Sequence, residues 1–280
     1  MSMKRDFTLI ARDIPGAEGP VFDRQGRFFM VAPDRGQLVQ VTELGEVSEF
    51  ANTGGIPAGC QCDRENFLWI ADMKWGILKV SPQGQVLPVV TEFEGRPMRG
   101  CNDCAFDSQG HLYVTAPAGS SDREPVGEIY CRTADGQVRR LDGGYRFCNG
   151  IAVTADDATL IVAETFTKCL WAFDIVAPGQ VAHKRLWATL PGDHFGGPDG
   201  MDFDSEGNLL VANWGGSSID VFSPHGRLIE RVMAPFTKPS NVHFGGPDGQ
   251  WVYVTEHDHN GLWKFHWDRP GQPQYCQGNP

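Results

Sequence analysis

Short apolar runs alternate with polar, glycine-bearing turns along the whole chain. Examples are Phe28-Phe29-Met30-Val31, Leu112-Tyr113-Val114, Leu160-Ile161-Val162 and Val252-Tyr253-Val254. After a turn, each is followed by a second run, such as Leu38-Val39-Gln40-Val41 or Leu262-Trp263-Lys264-Phe265. Runs of this length bounded by turn residues read as strands, not helices. The turns are self-similar. Phe22-Asp23-Arg24-Gln25-Gly26, Phe106-Asp107-Ser108-Gln109-Gly110 and Phe203-Asp204-Ser205-Glu206-Gly207 are clear copies, and weaker ones begin at Cys62, Val153 and Phe244. The spacings between successive starts are 40, 44, 47, 50 and 41 residues. A period of that size holding about four strands is the size of a propeller blade. Six copies predict an all-β fold, a six-bladed β-propeller with a central channel, as a single domain over residues 1–280. The alternative, two β-sandwich domains, needs a linker that nothing marks at mid-chain. A lone strand over about residues 7–11 is expected to close the ring on the last blade, since closure removes exposed strand edges.

The residues four positions before each start are Glu18, Ala58, Asn102, Asn149, Asp199 and Ser240. In a ring of equivalent blades they fall at equivalent places, near the mouth of the channel. Four of the six carry hard oxygen donors, which suit calcium, whereas zinc favours His or Cys. Asp and Asn also fill turns, but four at one offset in a six-fold repeat favour the metal. Asp202 and His243 lie three residues after Asp199 and Ser240 and are expected deeper in the channel. Buried charge needs a partner; a second cation and a plain Asp–His hydrogen bond both answer that need, and position alone leaves the two open. Strand alternation points Asp103 away from Asn102, as a carboxylate that backs the site or caps a turn. Met73 and Trp75 either wall the channel or pack in the core. Glu164 reads as structural. The run Glu256-His257-Asp258-His259 invites a catalytic-triad reading, but Ser240 is the only serine nearby and no nucleophile turn accompanies it.

A hydrophobic content of 41% is enough for a core in 280 residues, and Gly 34 with Pro 19 fits a turn-dense β fold. A net charge of -11 argues against partners such as nucleic acid or an anionic membrane surface. No apolar run approaches a membrane span, and the start lacks the apolar core of a signal peptide, so a cytoplasmic protein is expected. Its eight cysteines are then thiols by default. Cys60-x-Cys62 and Cys101-x-x-Cys104 have spacings that can serve zinc, but both sit where blades begin and small residues pack.

Several strings are long enough to be specific: Gly16-Ala17-Glu18-Gly19-Pro20-Val21-Phe22, Gly55-Ile56-Pro57-Ala58-Gly59-Cys60-Gln61-Cys62-Asp63, Gly100-Cys101-Asn102-Asp103-Cys104-Ala105-Phe106-Asp107, Asp199-Gly200-Met201-Asp202-Phe203-Asp204 and Lys238-Pro239-Ser240-Asn241. With them the chain resembles the gluconolactonase, senescence-marker and luciferin-regenerating group of six-bladed calcium propellers, and within it the diisopropyl-fluorophosphatase type. The resemblance implies a catalytic calcium held by Glu18, Asn102, Asn149 and Asp199, the four residues the offset selects. It implies a second calcium held by Asp202, the carbonyl of Val242 and His243. It places Met73, Phe147, Thr165, Trp214, Ser240 and His257 around a small-molecule substrate, with no protein partner. The implied reaction is hydrolysis of organophosphorus esters and fluorides with Asp199 as nucleophile or water activator. A calcium lactonase is the runner-up and a non-catalytic scaffold the third reading. There are three departures from the pattern. The third-blade loop Ser120-Ser121-Asp122-Arg123-Glu124-Pro125 is short, with only Arg123 to stand over the pocket. Cys148 replaces a proline. Gly100 stands where the group's sugar lactonases carry an arginine.

Overall fold

The computed structural model describes residues 5–278. Among them the strands form six four-stranded antiparallel sheets and one small hairpin, Glu92–Phe93 with Arg96–Pro97. The sheets follow one another in sequence, as the repeat predicts. Their innermost strands are Glu18–Phe22, Pro57–Cys62, Cys104–Phe106, Cys148–Val153, Gly197–Phe203 and Pro239–Gly245, and they head blades 1 to 6. Each blade then meanders outward through three further strands, except the last. Blade 6 takes its outer strand from the other end of the chain, where Thr8–Ala11 pairs with Gly261–His266. No helix among the described residues is long and apolar enough to cross a membrane.

Buried side chains fall into six clusters, one at each junction between neighbouring blades. Phe29, Val31 and Leu38 of blade 1 meet Cys60, Ile70 and Leu78 of blade 2. The junction between the last blade and the first is filled in the same way, by Met30, Val39 and Leu262 with Ala11. Both faces of every sheet are therefore covered, which explains why second strands such as Leu68–Asp72 and Leu112–Ala116 are buried throughout instead of alternating. A fully buried side chain of this kind contributes about 1.5–3 kcal/mol. All eight cysteines are free, and all but Cys169 are buried.

The Phe-Asp turns lie at the end of the ring opposite the four predicted ligands. Asp23, Asp63, Asp107 and Asp204 each accept two backbone N–H groups from their own turn, at 2.8–3.0 Å. The chain's last described segment then crosses this distal end. The Gln272 side chain donates to the Val153 carbonyl of blade 4, Tyr275 stacks on Phe106 of blade 3 under Arg64 of blade 2, and Cys276 joins the junction of blades 1 and 2.

Candidate metal centre and substrate pocket

A β-bulge sits at the key offset. In blade 1 the pair Glu18–Val31 is followed by Val21–Phe29; in blade 4 Cys148–Glu164 is followed by Ile151–Val162; in blade 5 Pro198–Asn213 is followed by Met201–Val211. Three inner-strand residues thus span two of the neighbouring strand, and the extra residue falls at or just after Glu18, Asn149 and Asp199. A bulge frees one residue from the ladder and re-aims its side chain. In blade 3 the inner strand starts only at Cys104, and Asn102 precedes it, its N–H bonded to the Thr115 carbonyl at 2.8 Å.

The structure brings the predicted residues together as follows. Glu18 accepts the Asn241 amide at 3.2 Å and its neighbour's N–H, from Gly19, at 3.1 Å. Asn149 hydrogen-bonds Thr165 at 3.2 Å and lies beside Asp199. Thr165 in turn donates to the Pro198 carbonyl at 2.8 Å, which ties blade 4 to blade 5. Burial pushes Asp199 well above the usual carboxylate range, and the nearby charge of Glu18 adds to it. Burial likewise raises Glu18, to about 8. Ser240 is fully buried with its hydroxyl committed to the Ala17 carbonyl and to Thr255, both at 2.8 Å. His257 lies 3.6 Å from Glu18. Its Nδ1 receives the Trp214 indole N–H at 3.1 Å. Indole is a donor only, so the His257 proton sits on Nε2, which faces the Gly16 carbonyl at 3.2 Å. With Nδ1 accepting and Nε2 donating it is a neutral imidazole with no free lone pair, and burial, which lowers its pKa, acts in the same direction. Met73 is half-buried at the same end, just after the strand Leu68–Asp72.

Below this layer, Asp202 and His243 meet at 3.4 Å. Asp202 also accepts the backbone N–H groups of Phe203 and Phe244 and the Gln274 amide. Both groups, with Val242, line a cavity of 40 Å³ on the channel axis, room for one or two waters or one ion.

Asp103 is a buried carboxylate behind the site, where it also accepts the Cys104 N–H at 2.8 Å. It lines that same cavity and raises the pKa of Glu18, Asp199 and, through burial, its own to about 7. The signal was present in the repeat. The residue after the key offset is glycine in four blades, and Asp103 and Asn241 are the exceptions. Their side chains fill the space glycine leaves next door: a Cβ at Gly59 would lie 2.8 Å from Asp103, and one at Gly200 would lie 2.0 Å from the Asn241 amide. The glutamines of the distal segment, Gln272 and Gln274, were missed, and no repeat pattern could have found them.

The donor set fits a hard cation. Glu18, Asp103, Asp199 and Asp202 are four carboxylates along one channel, and among the described residues only His243 and His257 stand near any of them as ion-pair partners. Unpaired buried carboxylates are costly. No cluster of three His, Cys, Asp or Glu side chains with metal-binding spacing occurs among the described residues, as expected where two of four donors are amides.

Residues 16–258 match the family described as SMP-30/Gluconolactonase/LRE-like region. The chain belongs to this family. It is 48% identical to diisopropyl-fluorophosphatase of Loligo vulgaris, over 97% of this chain and 95% of that one. It is 27% identical to the gluconolactonase of Zymomonas mobilis, over 91% and 80%. The SMP-30/gluconolactonase/LRE-like architecture also superposes on a solved calcium-binding protein, regucalcin, from Agrobacterium tumefaciens str. C58. That match has a TM-score of 0.82 at 20% identity, covering 98% of this chain and 97% of the other.

Proposed function

We propose that this chain is a calcium-dependent hydrolase of the diisopropyl-fluorophosphatase type, acting on organophosphorus esters and fluorides. The observation that carries the reading is the meeting of Glu18, Asn149 and Asp199, from three blades, on bulges at one end of the channel, with no Lys or Arg among the described residues paired to Glu18 or Asp199. With Asn102 of a fourth blade they would hold one calcium, and Asp202, His243 and the Val242 carbonyl a second. When bound, the first ion supplies Lewis-acid polarisation of a phosphoryl oxygen and balances the ligand charge.

The chain's own groups then divide the work. His257 is neutral with both nitrogens engaged, so it positions Trp214 and does not act as a base. Ser240 has its hydroxyl committed and does not attack. Asp199 is left as the reacting carboxylate. In one route its oxygen bonds to phosphorus, the P–F bond breaks, fluoride leaves, and water then hydrolyses the acyl phosphate. In the other it takes a proton from a water that attacks phosphorus directly. A single turnover in isotopically labelled water separates them: label in the first-turnover product overturns the nucleophile route.

A calcium lactonase is the second reading, supported by the gluconolactonase relative. Gly100 speaks against a sugar lactone. Its φ of +76° disfavours any side chain, and a Cβ there would lie 2.4 Å from the Ala118 backbone, so the arginine implied for sugar lactonases has no room. The test is metal content of the purified protein, followed by hydrolysis of diisopropyl fluorophosphate and of a lactone panel with and without chelator. Chelator-sensitive fluoride release is expected. Lactone turnover without it selects the second reading, and neither activity at full metal loading overturns both.

A further inference from the structure

Four aromatic rings form a row on the face of the propeller where the inner strands begin. Phe147 and Phe166 lie 5.6 Å apart between ring centroids, Phe166 and Phe195 5.5 Å, and Phe195 and Trp214 6.3 Å. The successive contacts are edge-on or tilted, the arrangements aromatic pairs prefer. The four come from separate segments: the approach to blade 4, the turn Thr165–Thr167, the approach to blade 5, and the end of the strand Leu209–Trp214. Only Phe147 and Trp214 were singled out from the sequence.

The row borders the candidate metal centre along its length. Phe147 is two residues from Asn149, Phe166 adjoins Thr165, whose hydroxyl receives the Asn149 amide, Phe195 is four residues from Asp199, and Trp214 bonds His257. Its outermost ring is the unusual one. Phe195 is 72% exposed, yet its backbone is held. Lys168 Nζ donates to the carbonyls of His194 and Gly196 at 2.7 Å each, and the His194 ring pairs with Asn213 at 3.0 Å. A phenylalanine kept in water on an anchored loop, in line with three other rings, is an apolar surface awaiting a small occupant.

We propose that Phe166 and Phe195 extend the substrate pocket outward as an aromatic shelf across blades 4 and 5, and that the shelf takes one flat or elongated apolar arm of the substrate. Resting on the hydrolase reading above, this names the substrate class: esters of phosphorus or of a carboxylic acid that carry an aryl or long alkyl substituent beside the reacting bond. Polyhydroxylated substrates, whose hydroxyls the rings cannot satisfy, are disfavoured.

The experiment compares substrate pairs that share a leaving group: a phosphotriester with an ethyl arm against one with a phenyl arm, and γ-butyrolactone against its α-pentyl derivative. The calcium-loaded protein is expected to favour the apolar-arm member of the pair it hydrolyses by about tenfold in kcat/KM. Phe195→Ser and Phe166→Ser are each expected to lower that ratio severalfold, and Phe195→Trp to retain it. No preference in the natural protein, or a preference that survives both serine variants at unchanged melting temperature, overturns the shelf. If no pair is hydrolysed, the hydrolase reading fails, and the shelf is judged separately by calorimetry with diphenyl phosphate and diethyl phosphate. Tighter binding of the diphenyl ester that is lost in Phe195→Ser supports it, and equal affinities overturn it.

Discussion

The two ends of the channel carry the same residue type under opposite conditions. At the distal end, Asp23, Asp63, Asp107 and Asp204 each gather two N–H groups of their own turn, and Asp23 and Asp204 also face arginines, Arg27 at 2.7 Å and Arg269 at 3.2 Å. At the other end and along the axis, Glu18, Asp103 and Asp199 are pushed toward protonation by burial and then by like charge nearby. The distal carboxylates stabilise the fold as it stands. The axial ones do not, and a bound cation would relieve their crowding. Four residues of sequence separate the two conditions within a blade, so composition says little about either and placement says nearly everything.

The sharpest way to break this contrast is Asp199→Asn. Turnover should fall on the order of 10³-fold or more, while the melting temperature of the metal-free protein should not fall, because a buried like charge has been removed. A large loss of stability would mean that Asp199 belongs with the distal set. Chelation comes next. Removing the ions should abolish hydrolysis and lower the melting temperature by on the order of 10 °C in calorimetry, with recovery on adding calcium; an unshifted melting curve would contradict the axial half of the comparison. Asp204→Ala should have the reverse profile. It strands the N–H groups of Glu206 and Asn208, the Trp267 indole and Arg269, for a loss of about 3 kcal/mol in urea denaturation, with kcat/KM nearly unchanged. Asp23→Ala, on a turn with a half-exposed arginine, should cost about 1 kcal/mol and leave activity alone.

How much of this could be read from the chain follows from the same geometry. A fixed count back from the repeated turn selects Glu18, Asn102, Asn149 and Asp199 without coordinates, and three of the four stand at bulges. The ring itself was legible because every blade repeats one meander. Asp103 could be marked as a carboxylate behind the site, but its place on the axial cavity could not, because it precedes the strand Cys104–Phe106 and no alternation fixes it. Gln274 and the Phe166–Phe195 contact were invisible for a different reason. They join segments from different blades or from the non-repeating tail, and no periodicity records which neighbours will touch.

The pairing of Thr8–Ala11 with Gly261–His266 has a further consequence. The last blade has a bare edge until the strand Thr8–Ala11 returns to it, so completing that sheet joins positions far apart in the sequence, a slow kind of contact to form. That seam is also the one place where two blades are stitched by a strand exchanged between chain ends instead of by a continuous meander. Pulling on the segment ahead of Thr8 would load that seam, and freeing it would bare the edge of the last blade.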